Sequence, residues 1–172
     1  DDTRRISKED ILYVHTQKDT LTNLPKSTVF AEQFLEKVQE QHAQAKQDFL
    51  LVFLEIDLRT AGYSVYDIES EAKFHQAILD TVRVRFADLE VFSILFGEYI
   101  LVLPYAREQS GEHLKTEIVQ LLNARIEMDG TMISSFNRMG FRDTYTYEIQ
   151  TYDDAQEILK QLLYCRSVLK KE

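Results

Sequence analysis

The sequence predicts one α/β domain, a mixed central β-sheet with helices packed over it, and three features carry that expectation. Phe49 to Ile56 (FLLVFLEI) is an almost unbroken apolar run of strand length, as expected of a central strand buried on both faces. Val91–Phe96 and Tyr99–Leu103 flank Gly97-Glu98, and two apolar strands around a short glycine-containing turn signal a hairpin. Amphipathic segments alternate with these strands. Hairpins inside such an alternation give a mixed sheet covered by helices.

The elements follow in chain order. Residues 1–18 are polar with scattered apolar positions and read as a lead-in helix or linker, leaving 19–172 as the domain. Asp19-Thr-Leu-Thr-Asn-Leu-Pro25 is turn-rich, and its proline forbids a helix through it. Ser27 is placed to cap a helix running to about Gln44, with Phe30, Phe34, Leu35 and Val38 at helical spacing. After the buried strand and a connection at 60–68, a second helix spans Glu69 to Phe86 on the stripe Phe74, Ile78, Val82 and Phe86. The hairpin comes next, its second strand ended by Pro104. Glu108–Ile126 is a third helix (Leu114, Ile118, Leu121, Leu122), Thr131–Phe136 a strand, and Thr144–Ile149 a weaker one. The last helix, Asp153–Lys170, lines up Ile158, Leu162, Cys165 and Leu169.

Composition narrows the function. With 172 residues, 44% hydrophobic and 11% aromatic, the chain is long and apolar enough for one domain with a sizeable core. Its formal charge of −9 repels phosphate-rich partners, which argues against nucleic acid and anionic membranes. Arg4-Arg5 and Lys170-Lys171 are only pairs at the two ends. The single cysteine, Cys165, excludes an internal disulfide and gives no zinc-ligand spacing; its place on an apolar seam suits a buried thiol. His15, His42, His75 and His113 have no ligand spacing either and read as surface or boundary residues. No apolar stretch approaches ~20 residues and no signal peptide is present, so a cytoplasmic location is expected. The start on Asp1-Asp2-Thr3 without methionine suggests a piece of a longer protein, whose membrane-attached part, if any, lies elsewhere.

Several of these segments, in this order, resemble the GGDEF (diguanylate cyclase) family. Asp19-Thr-Leu-Thr-Asn-Leu followed by Phe30 resembles its D-x-L-T-x-L opening, and Phe53-Leu-Glu-Ile-Asp57 ends a buried strand where that family places a D-x-D metal motif. Leu95-Phe-Gly-Glu-Tyr99, followed by a strand reaching Leu-Pro104, stands where the family has its GGDEF hairpin. Met132-Ile-Ser-Ser135 is similar to its late strand, and Ile158-Leu159 with Lys170 to its last helix. The resemblance covers roughly residues 19–171 and implies a nucleotidyl-cyclase-like sheet with a ferredoxin-like core.

The departures decide what the resemblance implies for activity. Active members hold two magnesium ions on a strand-end aspartate and an acidic third hairpin residue, because 3′-hydroxyl attack on a triphosphate needs metal-stabilised charge. Here those positions are Glu55 and Gly97, and Leu95 and Phe96 replace the two glycines that let backbone approach nucleotide. Glu98 alone keeps the family's residue type in the motif, with Tyr99 following it. The guanine-reading asparagine and aspartate align to Tyr63 and Ala72, and the phosphate lysine to Thr60 beside Arg59; Lys170 keeps the other lysine. The expectation is a degenerate domain with no catalytic residues and no bound metal or cofactor, in which Glu55, Asp57 and Glu98 are remnants.

One motif survives. Arg85-Phe-Ala-Asp88 is the sole R-x-x-D in the chain and lies where the family carries a product-binding inhibitory site, one residue further from the hairpin than usual. An arginine fork suits a guanine Hoogsteen edge or a phosphate, an aspartate accepts from guanine N–H groups, and Arg83 adds a basic neighbour. The resemblance therefore implies cyclic di-GMP as ligand. The alternatives are a helix cap or a surface ion pair at Arg85, and a domain that self-associates or docks a protein partner without nucleotide.

Overall fold

The structure, a computed structural model, describes residues 17–42, 47–58, 68–123, 125–128 and 130–171. All of the expected lead-in except Gln17 and Lys18 falls outside these residues, as do Arg59, Thr60 and Tyr63.

A 3-10 turn at Ser27–Val29 runs into helix α1 (Phe30–His42), so Ser27 lies inside the turn and the capping position falls on Lys26, whose side chain makes no cap bond. Then come β1 (Gln47–Asp57), α2 (Ile68–Arg85), β2 (Glu90–Leu95), β3 (Glu98–Ala106) and α3 (Gly111–Leu122). The chain finishes with β4 (Ile126–Met128), β5 (Thr131–Ile133), β6 (Phe136–Thr144), a 3-10 turn at Thr146–Glu148 and α4 (Tyr152–Lys171). One four-stranded sheet has the order β2-β3-β1-β6, and β4 pairs with β5 in a separate two-stranded ribbon.

The α/β class holds, and every ladder between these strands is antiparallel. β1 and β2 run in the same direction, as the α2 crossover requires, but β3 sits between them. The parallel component expected of a mixed sheet is reduced, among the described residues, to an isolated bridge between Lys26 and Ser93.

Period-two burial along β1 and β3 builds two cores. Leu50, Val52, Leu54 and Ile56 with Tyr99, Leu101 and Leu103 face α2 and α3, meeting Phe74, Ile78, Leu79, Val82, Leu114, Ile118 and Leu122. Phe49 and Leu51 with Ile100 and Val102 face α1 and α4, meeting Phe30, Phe34, Val38, Ile158 and Leu162. Both faces of β1 are thus covered, which is why its sequence is a continuous apolar run rather than an alternation. Phe30, Phe34 and Phe92 pack as stacked and edge-on rings at 5.2–5.3 Å. The side chains of Cys165, Leu169 and Lys170 lie outside the described ones.

Four expectations about elements are corrected. The hairpin turn is Phe96-Gly97, one residue early, because Glu98 already pairs with both Leu95 and Glu55. Pro104 does not end β3, which reaches Ala106: β2 begins opposite Val102, so beyond that point β3 has an open flank where a residue without N–H is tolerated. α3 is shorter than Glu108–Ile126, and the stretch after it folds as the β4–β5 ribbon. The final sheet strand is Phe136–Thr144, read from sequence as connection, while the strand expected at Thr144–Ile149 is the 3-10 turn.

Candidate functional site

The opening loop is built before the site it supports. Asp19 accepts the Asn23 N–H at 2.7 Å through its backbone and the Leu21 N–H at 2.8 Å through its carboxylate, closing a tight turn. Asn23 takes φ +59°, a left-handed conformation asparagine tolerates. The Ser93 hydroxyl donates to Asp19 Oδ2 at 2.8 Å and the Ser93 N–H to the Pro25 carbonyl at 2.7 Å, fastening the loop to β2. Gln76 of α2 donates to the Thr22 carbonyl at 2.6 Å.

Against this loop, the ends of β1 and the β2–β3 hairpin form one end of the sheet. Glu55 and Glu98 sit directly opposite each other on β1 and β3, and Arg138 of β6 is opposite Glu55 with its guanidinium 4.0 Å from Glu55 Oε1. Glu98 is almost fully buried, whereas Leu95 at the turn is 52% exposed. Gly97 has φ +83°, and its carbonyl accepts the Ile56 N–H at 2.8 Å. A Cβ at Gly97 would stand 3.3 Å from the Ile56 carbonyl oxygen and 3.4 Å from His75 Cε1. The turn therefore selects glycine twice, by dihedral and by space.

Beneath the turn, on the other face of the sheet from Glu55, lies His75. Expected near the surface, it is completely buried, its ring 4.9 Å from that of Phe96 and its Nδ1 2.9 Å from the Tyr99 hydroxyl. A Tyr99 O–H donating to His75 Nδ1 suits a ring protonated on Nε2. The imidazole proton then sits on Nε2, which faces Glu71 Oε1 at 3.7 Å. The opposite tautomer would aim a bare nitrogen lone pair at a carboxylate. Burial lowers the His75 pKa to about 4 and raises that of Tyr99, so both are neutral at pH 7. Burial, with the charge of Asp57 second, raises the Glu71 pKa.

The other expected site lies at the far end of α2. Arg85 closes that helix and Asp88 sits in the exposed turn before β2. Arg85 Nε donates to Glu117 Oε1 of α3 at 2.5 Å, and its guanidinium carbon stands 5.1 Å from the Phe86 ring centre. Arg83 pairs with Asp80 one turn back at 3.3 Å and does not reach Asp88. Lys37 of α1 reaches the Asp88 carbonyl at 3.5 Å and Glu90 at 3.0 Å. Two cavities of about 420 Å³ flank α2: one beside Arg85, with Phe86, Tyr105, His113 and Glu117 in its wall, the other beneath the opening loop at Leu21, Ala72 and Gln76.

Known proteins resolve the architecture. No protein-family model matches the chain, and no curated protein does. Solved structures do match. A sensory box/GGDEF family protein from Caulobacter crescentus superposes with a TM-score of 0.63 at 14% identity, over 86% of this chain and 96% of that one. The isolated GGDEF domain of TpbB (YfiN) from Pseudomonas aeruginosa gives 0.59 at 16% identity, over 86% and 87% of the two chains. The coiled coil and GGDEF domain of DgcB from Caulobacter crescentus, solved with cyclic di-GMP, gives 0.56 at 15% identity, over 93% and 86%. The chain has the GGDEF-domain fold.

Within the GGDEF fold, the turn at Phe96-Gly97 and the acidic end of β1 come together as the resemblance implies, while Arg85 and Asp88 stand apart from both. Ala72, aligned with a base-reading aspartate, lines the cavity under the opening loop. Sequence reasoning missed three participants: His75, Arg138 and Glu117. A signal existed for His75, since positions 75, 79 and 82 form a second helical track beside 74, 78 and 82. Glu117 carried none, for its role depends on where α3 crosses the end of α2. No helix among the described residues is long and apolar enough to cross a membrane.

Proposed function

We propose that this domain is catalytically silent and serves as a regulatory module that binds cyclic di-GMP through Arg85 and Asp88. The observation that carries the silent half is the turn. Where an acidic metal ligand and two glycines are implied, Phe96 lies on His75, Leu95 projects into solvent, and Gly97 holds a dihedral and a clearance that an aspartate would strain. The donor set fits a magnesium pair poorly. Mg²⁺ needs near-octahedral oxygen ligands, and the two carboxylates opposed across β1 and β3 are one almost fully buried and one facing Arg138. Among the described residues no group of three or more acidic, histidine or cysteine side chains is arranged to hold a metal.

Support for the receptor half is a half-exposed guanidinium in the wall of a cavity of about 420 Å³, with an exposed carboxylate three residues further along the chain. DgcB, of the same fold, is solved with that ligand. Calorimetry with cyclic di-GMP tests the reading. Micromolar or tighter binding, abolished in Arg85→Ala and in Asp88→Ala, is expected; no heat at high ligand concentration refutes it.

A second reading, a nucleotide-independent docking module, is favoured by one surface. Tyr145 and Tyr147 stack in parallel at 5.6 Å and are both exposed, and Tyr152 nearby in sequence is exposed too. Exposed aromatic side chains of this kind are enriched at protein interfaces. Silence at the calorimeter with intact folding leaves this reading in place.

A further inference from the structure

Arg85 is already engaged by its own chain. Its Nε donates to Glu117 Oε1 at 2.5 Å, and its plane lies near the Phe86 ring. A guanidinium recognises a nucleotide by forking onto an anion and by stacking, and here Glu117 occupies its Nε–H and Phe86 stands against one face. Asp88 is different: it is exposed, and its carboxylate has no partner among the described residues. The acceptor of the R-x-x-D pair is open while its donor is held. Glu117, whose side chain is 23% exposed, reaches Arg85 from α3 at the wall of the cavity a ligand would enter.

We propose that Glu117 is an internal competitor that sets the affinity of this site: a dinucleotide phosphate or guanine edge takes the Nε-bearing edge of Arg85 only by displacing the Glu117 carboxylate. This rests on the reading of Arg85 and Asp88 as a cyclic di-GMP site and adds what limits it. A site whose competent form is a fraction of the population binds more weakly by that fraction. The Arg85 side chain is 58% exposed, so the pair is of the weak, solvent-screened kind. Its removal is worth about three- to fivefold in affinity, not orders of magnitude.

The test is calorimetry with cyclic di-GMP on the whole chain and three variants. Glu117→Gln keeps the shape and removes the charge that holds Arg85. Glu112→Gln removes a charge from the same helix at a residue that pairs with Lys115 instead, and so controls for simple repulsion between an acidic protein and an anionic ligand. Arg85→Ala removes the site. The expected result is a Kd about three- to fivefold lower in Glu117→Gln, unchanged in Glu112→Gln, with binding lost in Arg85→Ala. If the parent chain binds, Arg85→Ala does not, and Glu117→Gln binds no tighter than Glu112→Gln, the competitor is overturned and the receptor reading stands. Weaker binding in Glu117→Gln means that Glu117 contacts the ligand, which also overturns it. If neither the parent chain nor Glu117→Gln binds, both ideas fall together.

Discussion

Replacing His75 and Tyr99 together by Leu and Phe should remove a specific acid sensitivity. His75 is wholly buried and neutral, with burial holding its pKa near 4 against 6.5 in the unfolded chain. Between those values the unfolded state binds a proton that the native state refuses, so stability falls as pH falls. The contribution is fully present above about pH 6.5, declines through that window, and levels off below about pH 4. At about 1.4 kcal/mol per unit, the loss is on the order of 3 kcal/mol. Glu71 acts in the opposite direction: its raised pKa makes the native state the better proton binder above the ordinary carboxylate value, returning some stability as pH falls. Because burial is the main cause of that shift and Asp57 the second, it persists in the double variant and largely cancels in the comparison. Changing both partners avoids leaving the Tyr99 hydroxyl buried without its acceptor, and apolar replacement of a whole pair is often close to neutral. The assay is urea unfolding followed by circular dichroism from pH 7.5 to 4.5, because the chain has no tryptophan. Subtracting the variant's ΔG from the parent's should give a constant near pH 7 that falls steadily below pH 6.5. A difference that stays flat across the range would mean that His75 titrates in the native state as it does in the unfolded chain, and the burial of the ring beneath the hairpin would be wrong.

Two further outcomes are expected. Gly97→Asp restores an acidic residue at the third hairpin position but places a Cβ at φ +83°, 3.3 Å from the Ile56 carbonyl. It should cost about 1–2 kcal/mol and lower Tm by roughly 2–8 °C, and incubation with GTP and magnesium should yield no cyclic dinucleotide from either chain; product from the variant alone would mean that Gly97 by itself silences the turn, and product from the parent chain would defeat the silent-domain reading. Asp48→Ala removes a buried carboxylate that accepts the Thr146 N–H at 3.0 Å and the Arg107 Nε–H at 3.2 Å. Leaving the Thr146 N–H unsatisfied should cost about 1–3 kcal/mol, read as a loss of several degrees in Tm; an unchanged Tm would mean that this tie between β1 and the last 3-10 turn contributes nothing.

What the sequence revealed followed how strongly burial constrains each segment. β1 was legible because both its faces are covered, and α1 because Phe30, Phe34 and Val38 fill one face completely. β6 was not. It is an edge strand whose inward residues Met139 and Phe141 are only partly buried, interrupted by Gly140 and flanked by Asn137 and Asp143. An edge with one half-covered face leaves no clean alternation, so a charged, glycine-containing stretch reads as connection. The hairpin was found and its turn misplaced by one residue. Glycine marks a turn without saying which of its two central places it takes, and pairing across β1 decided that here.

The sequence names the residues at the turn but not what packs around them. Sequence shows that Gly97 is no ligand; only the fold shows that Phe96, His75 and Tyr99 fill the space beneath and fix the turn. The same holds for Arg85, a motif residue until α3 delivers Glu117 to it. The fold also separates the two ends. Asp88 precedes β2 and the Phe96-Gly97 turn follows it, so the six residues of that strand, ~20 Å at a strand's rise, lie between them. Groups that far apart with no shared partner perturb one another weakly. The residues at the turn therefore place no demand on Arg85 and Asp88 at the other end, and the proposed dinucleotide site stands or falls on its own geometry, independently of the chemistry at the turn.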